Sequence, residues 1–144
     1  VMLQRQPTHV GGNYRMGWLL LRRGRVDHAV NYFRNALRAD PEHQLSLLAL
    51  AKILSTHWDP RYRDGREALK LAQSACVATE FADAVALNTL AGAHAEVGAF
   101  AEAVRIAQDA LIIAEQSEQN QLVEFIRSNL ALFQAGRPYH QRKL

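Results

Sequence analysis

Small residues recur at fixed intervals along this chain, and that recurrence constrains its fold more than any other feature. Ala29 lies 12 residues after Gly17, and Ala103 lies 12 residues after Ala91. Ala51 and Ala68 form a third pair with a longer gap of 17 residues. Each pair is followed by more residues at helical spacing: Phe33 and Ala36, then Ala72 and Ala75, then Ala107 and Ala110. Two antiparallel helices can approach closely only where small side chains face each other. A recurring pair therefore means a helical hairpin used repeatedly, and stacked hairpins make a scaffold. Binding, more than chemistry, is the function class such a scaffold favours.

The apolar pattern places seven helices on the chain. Tyr14, Met16, Gly17, Leu20 and Leu21 fit a helix over about 10–22, stopped by Gly24. Asp27 opens the next, which carries Val30, Phe33, Ala36 and Leu37 to about Ala39. Asp40-Pro41-Glu42 reads as a stop followed by a start, with Asp40 as N-cap and Pro41 in the first turn. The third helix holds Leu47, Leu50, Ala51 and Leu54. Thr56 to Asp64 is then an insertion of about five residues relative to the other hairpins. Asp64 and Glu67 have capping-box spacing and open a fourth helix to about Thr79. A fifth spans about 83–96, closed by Gly98, and a sixth about 100–115. Ser117 is placed to cap a seventh, ended by Gly136-Arg137-Pro138. No segment alternates with period two, so no strand is expected. Residues 1–9 lack periodicity and read as a flexible arm; residues 136–144 read as a C-terminal tail.

Composition narrows the function classes. Apolar residues make up 49% of the 144, enough for a continuous core. The formal charge is +3 but uneven: residues 1–72 carry twelve Lys/Arg against six Asp/Glu, and residues 73–144 five against eight. That polarity steers an acidic partner toward the N-terminal half, or is an ordinary solvated surface. The single cysteine, Cys76, sits in a helical apolar stripe and reads as a buried, inert thiol. No apolar run approaches the ~20 residues of a membrane span, so no direct membrane insertion is expected. The first residue is Val1, which fits a piece of a longer chain.

The signatures of catalysis and cofactor binding are not found. The six histidines, at 9, 28, 43, 57, 94 and 140, form no i, i+4 pair, and no metal-ligand spacing supports a site. Val10-Gly11-Gly12-Asn13 follows no strand and lacks a P-loop lysine. No nucleophile elbow occurs. Arg15, Arg22, Arg23 and Arg25 cluster, but interleaved aromatics are few, so a solvated helix end is favoured over a nucleic-acid contact. The expectation is no catalytic, cofactor or metal residue, no cofactor, and no enzyme.

The offsets resemble the tetratricopeptide repeat, a helix–turn–helix unit of about 34 residues. Residues 10–43 carry it through Gly17, Leu20, Gly24, Ala29, Phe33, Ala36 and Pro41, with Asn13 where the family has a large aromatic. Residues 44–82 carry it through Leu47, Leu50, Ala51, Ala68, Ala72 and Ala75. Residues 84–117 carry it through Leu87, Leu90, Ala91, Gly98, Phe100, Ala103 and Ala107, without the closing proline; His94 there replaces a core aromatic. The resemblance implies an all-α, right-handed superhelical array of three hairpins, with 118–135 as a capping helix. Asp59-Pro60-Arg61-Tyr62-Arg63-Asp64-Gly65 and Ala135-Gly136-Arg137-Pro138-Tyr139 are in turn similar to the C-terminal repeat region of large bacterial multidomain proteins of this type.

In that family the first helix of each hairpin lines a concave wall. Register then places Tyr14, Trp18 and Leu21 on it, with Leu45, Leu48, Lys52 and Ser55 from the second hairpin and Val85, Asn88, Gly92 and Glu96 from the third. Tyr14, Trp18, Leu21, Leu45, Leu48, Lys52 and Asn88 are the candidate peptide-binding residues, with Trp18 as anchor and Tyr14, Trp18, Leu45 and Leu48 as one exposed apolar strip. One subclass grips the carboxylate of chaperone tails at such positions. Here only Lys52 and Asn88 suit it, which argues against that clamp. The insertion, with Trp58, Arg61, Tyr62 and Arg63, is either a rigid plug of the hairpin end or part of an interface. The expected function is a protein- or peptide-binding scaffold; the alternative is a structural array packed against other domains of a longer parent chain or against itself.

Overall fold

A computed structural model describes residues 9–143, so the expected arm lies outside the described residues except for His9. Among those residues the chain forms seven α-helices and no strand: α1 (Val10–Arg22), α2 (Val26–Ala39), α3 (Gln44–Thr56), α4 (Gly65–Ala78), α5 (Ala84–Glu96), α6 (Phe100–Gln116) and α7 (Asn120–Gln134). Helices α1–α2, α3–α4 and α5–α6 are hairpins, and α7 packs on α6.

Backbone chemistry sets the helix ends. Gly24, Gly98 and Gly136 adopt φ of +76°, +85° and +71° just past α1, α5 and α7. At Gly24, the Arg25 N–H reaches the Leu20 carbonyl (2.9 Å) and the Gly24 N–H the Leu21 carbonyl (3.0 Å), which satisfies two carbonyls left free by the last turn. Asp64 caps α4 by accepting from the Glu67 N–H. Glu67 does not reach back to complete the box; its carboxylate takes a bidentate pair from Arg34 of α2.

Three expectations at helix starts are corrected. Asp40 ends α2, and its carboxylate holds a turn by accepting from the Glu42 N–H (3.0 Å). Pro41 therefore lies outside α3, whose N-cap is His43. Ser117 ends α6 instead of opening α7, whose N-cap is Gln119. Glu118 between them takes φ +55°, which lets the chain turn at once. Gly11 and Gly12 are helical, inside α1, where the Gly12 N–H donates to His9 Nδ1 (2.7 Å).

The small residues sit where helices cross. Ala29, Ala68 and Ala103 are all fully buried, as are Ala51 and Ala91. At Gly17 the crossing is tighter still: a Cβ there would lie 2.6 Å from Phe33 Cε1. The core is two clusters, one through Phe33, Leu50 and Ile53 at the first hairpin and one through Leu87, Ile106, Ile126 and Phe133 at the last helices, with the partly buried Leu37, Leu69 and Leu71 packed against both. Ala103→Leu is expected to overpack the α5–α6 crossing and cost about 1–3 kcal/mol, read as a fall in the urea midpoint. An unchanged midpoint would contradict the register.

Cys76 is fully buried, and burial pushes its thiol up to about 11, which keeps it protonated and unreactive at neutral pH. Asn13 is buried and donates through Nδ2 to the His9 carbonyl at 2.7 Å, so the α1 start is held by polar contacts where an aromatic was missing.

Candidate functional site

Helices α3 and α5 pack directly on each other, but the backbones of α1 and α3 stay apart. The space between the C-terminal halves of α1 and α3 is a cavity of about 500 Å³. Leu21, Val26, Ala49 and Ile53 give it apolar surface, and Trp18 of α1 lines one side. Trp18 is half-buried, edge-on to Phe33 at 6.1 Å between ring centroids.

The insertion after α3 forms the opposite side. His57 is buried, and its ring meets Trp58 (5.3 Å) and Tyr62 (5.2 Å). The Asp59 N–H donates to His57 Nδ1 at 2.9 Å, and burial pushes the His57 pKa down. Pro60–Tyr62 is a single 3-10 turn capped by Asp59, which accepts from the Arg61 N–H at 3.0 Å. Arg61 adds its guanidinium to the same carboxylate at 2.8 Å, holding Asp59 below the usual carboxylate range. The Asp27 carboxylate of α2 beside the Tyr62 hydroxyl raises the phenol above its ordinary value. These bonds make the insertion a rigid corner. Trp58 remains 38% exposed and lines the cavity.

The C-terminal tail closes the site from a direction that spacing alone does not indicate. Tyr139 stands edge-on to Phe125 of α7 at 5.3 Å. His140 Nε2 lies 2.6 Å from a Glu96 oxygen at the end of α5. The other Glu96 oxygen accepts from Arg63 Nε at 3.1 Å, with both side chains largely buried. The Gln141 N–H then donates to the Thr56 carbonyl (2.7 Å), and Lys143 Nζ lies 4.9 Å from the Trp58 ring centroid. The tail thus crosses α7, α5 and α3 in turn and brings Gln141, Arg142 and Lys143 to the cavity.

The seven candidate binding residues are distributed unevenly. Trp18, Leu21 and Lys52 come together at the cavity, and Tyr14 stands against Trp18 at 6.5 Å. Tyr14 also packs on His43 (5.5 Å) and is half-buried. Leu45 is 54% exposed, whereas Leu48 is half-buried against the core. Tyr14, Trp18, Leu45 and Leu48 therefore do not make one exposed strip. Asn88 is buried and its Oδ1 has no hydrogen-bond partner. It lies one turn before Gly92, whose Cα faces Thr56 of α3, so closure of the α3–α5 seam removes it from the surface. Ser55 is buried too, with its hydroxyl on the Ala51 carbonyl. Trp58 and Arg61 of the insertion join the site; the tail residues were not indicated by any motif.

No helix among the described residues is long and apolar enough to cross a membrane. Sequence models of the tetratricopeptide repeat match residues 10–53 and 84–117, together more than half of the chain. No curated protein matches it.

Proposed function

Since the chain belongs to the tetratricopeptide repeat family, we propose that it is a non-catalytic scaffold that binds a protein or peptide in the cleft between α1 and α3. Repeats of this family generally mediate protein–protein interaction. The observation that carries the reading is the cleft itself: the α1–α3 spacing leaves about 500 Å³ beside Trp18 and Trp58 while α3 and α5 close up. Large aromatics at the edge of a concave site are the residues on which binding energy concentrates. The titratable groups around it serve the structure: Asp59 is held by Arg61, and Glu96 by Arg63 and His140.

The test is selection from a random peptide library on the intact chain, followed by titration of the selected peptides. Trp18→Ala is expected to weaken them by at least ~2 kcal/mol, about 30-fold. Trp18 also packs on Phe33, so this variant loses some stability. Lys52→Ala, at an exposed cleft position, separates the two effects and is expected to weaken binding with an unchanged urea midpoint. If no selected peptide depends on either residue, the alternative takes over: an array that packs on neighbouring domains. One feature supports that alternative. Phe81 and Ile112, 46% and 52% exposed, border a second hollow of about 710 Å³ beside α5 and α6.

A further inference from the structure

The cleft has a charge character that goes beyond its shape. Arg22, Lys52, Arg61, Arg142 and Lys143 all border it, against one carboxylate, Asp59. Asp59 is already engaged: it accepts from Arg61 through both oxygens. Among the described residues no carboxylate pairs with Arg22, Lys52 or Arg142. Those three cations come from separate parts of the chain, the end of α1, the C-terminal half of α3 and the tail, so only the fold gathers them. The whole chain carries just +3, so this concentration is local. A concave site lined by one sign of charge over apolar walls focuses its field on an incoming ligand.

We propose that the cleft selects an acidic peptide segment of a partner protein, pairing its carboxylates with Arg22, Lys52 and Arg142 and laying an apolar side chain against Trp18 and Trp58. This rests on the peptide-binding reading above and adds the chemistry of the partner. Fork-shaped guanidiniums suit carboxylates, and the apolar wall formed by Leu21, Val26 and Ile53 rewards a side chain that a bare polyanion lacks. The charge pattern also disfavours a nucleic acid. A phosphate backbone needs a basic track over many residues. Here the basic zone is bounded by acids: Asp27 beside Arg61 and Tyr62 on one side, and Glu96 beneath the tail on the other.

The probes are two short fluorescein-labelled peptides with the same Leu and Phe residues, one with Asp and Glu between them and one with Ser in their place. A single-stranded oligothymidylate is the third. Fluorescence anisotropy on the intact chain is expected to show the acidic peptide binding at least tenfold tighter than the Ser peptide. Raising the salt from about 50 to about 500 mM, which shortens the screening length to a few Å, is expected to erase most of that difference. Lys52→Glu and Arg142→Glu, each at the cleft, are expected to weaken the acidic peptide at least tenfold. Lys70→Glu, exposed on α4 away from the cleft, is expected to leave it unchanged. Circular dichroism and urea midpoints establish that each variant is folded. Equal affinity for the acidic and Ser peptides, or no saturable binding of the acidic one, overturns the proposal. Trp18-dependent binding of neutral library peptides would then leave the peptide-binding reading standing. Tighter, Lys52-dependent binding of the oligothymidylate overturns both.

Discussion

A chain shortened to residues 1–117 is expected to aggregate, or to remain in solution only as an oligomer. Helix α7 buries Val123, Ile126 and Phe133 to within 7% of complete coverage. Burying each such side chain contributes about 2 kcal/mol, so the three are worth about 6 kcal/mol together. That is comparable to the whole stability of an ordinary domain of this size, about 5–15 kcal/mol. The loss is not confined to α7. Without it, Leu111 and Ala114 of α6 face water, and a stacked array needs a terminal cover for its last apolar face. The tail leaves as well, and with it the Gln141–Thr56 bond and the His140 partner of Glu96. Gel filtration and a urea titration check this. A monomeric product with an unchanged midpoint would show that α7 is an appendage and not a cover. A chain ending at 136 loses only the tail and is expected to remain a folded monomer with a smaller fall in midpoint.

The parts of this structure that were legible in the sequence are those that depend on local geometry. Gly17, Ala29, Ala68 and Ala103 mark crossings because no larger side chain fits between two touching backbones, and that requirement is visible as spacing. Gly24 and Gly98 mark helix ends because a left-handed residue is needed there. Local chemistry failed where two solutions compete. Asp40 has the character of an N-cap, but it serves a turn two residues long and leaves the cap to His43. Glu118 takes a left-handed conformation that glycine adopts more easily, so nothing in its type announces the α6–α7 turn. The candidate site was only half legible, because it is made by tertiary spacing. Register puts Trp18, Lys52 and Asn88 on first helices alike. Whether each meets open space depends on how closely those helices approach: α1 and α3 part around a cavity, and α3 and α5 close over Asn88. The path of the tail depends on Glu96 and Thr56, more than forty residues upstream of His140 and Gln141. No spacing rule connects positions that far apart.

Gly17 and Phe33 are expected to be the most strongly coupled pair in the first hairpin. Phe33 is fully buried at the α1–α2 crossing, and its ring also packs against Tyr14 (5.9 Å) and Trp18 (6.1 Å) of α1. Phe33→Ala is therefore expected to cost about 3–5 kcal/mol, a large share of the stability of an ordinary domain. The milder substitutions report the geometry. A Cβ at Gly17 would meet Phe33 Cε1 at 2.6 Å, Cδ1 at 2.8 Å and Cζ at 2.9 Å, all in the same ring. Gly17→Ala alone is expected to destabilise by about 1–3 kcal/mol, because a fully buried ring packed against two other rings has little room to move. Leucine lacks the Cε1 and Cζ atoms that cause two of those contacts, and its Cδ methyls, not fixed in a ring, can rotate away from the third. On a Phe33→Leu background the same Gly17→Ala change is expected to be neutral or stabilising, by up to about 1 kcal/mol. The reason is that alanine is the better helix former once the clash is gone. The sign of the Gly17→Ala effect should thus reverse between the two backgrounds, a coupling of about 2 kcal/mol that four urea titrations measure directly. Additive costs would mean that some other contact sets the distance between α1 and α2. The same distance holds Trp18 at the mouth of the cleft, so loss of that coupling would also remove the physical basis for its position there.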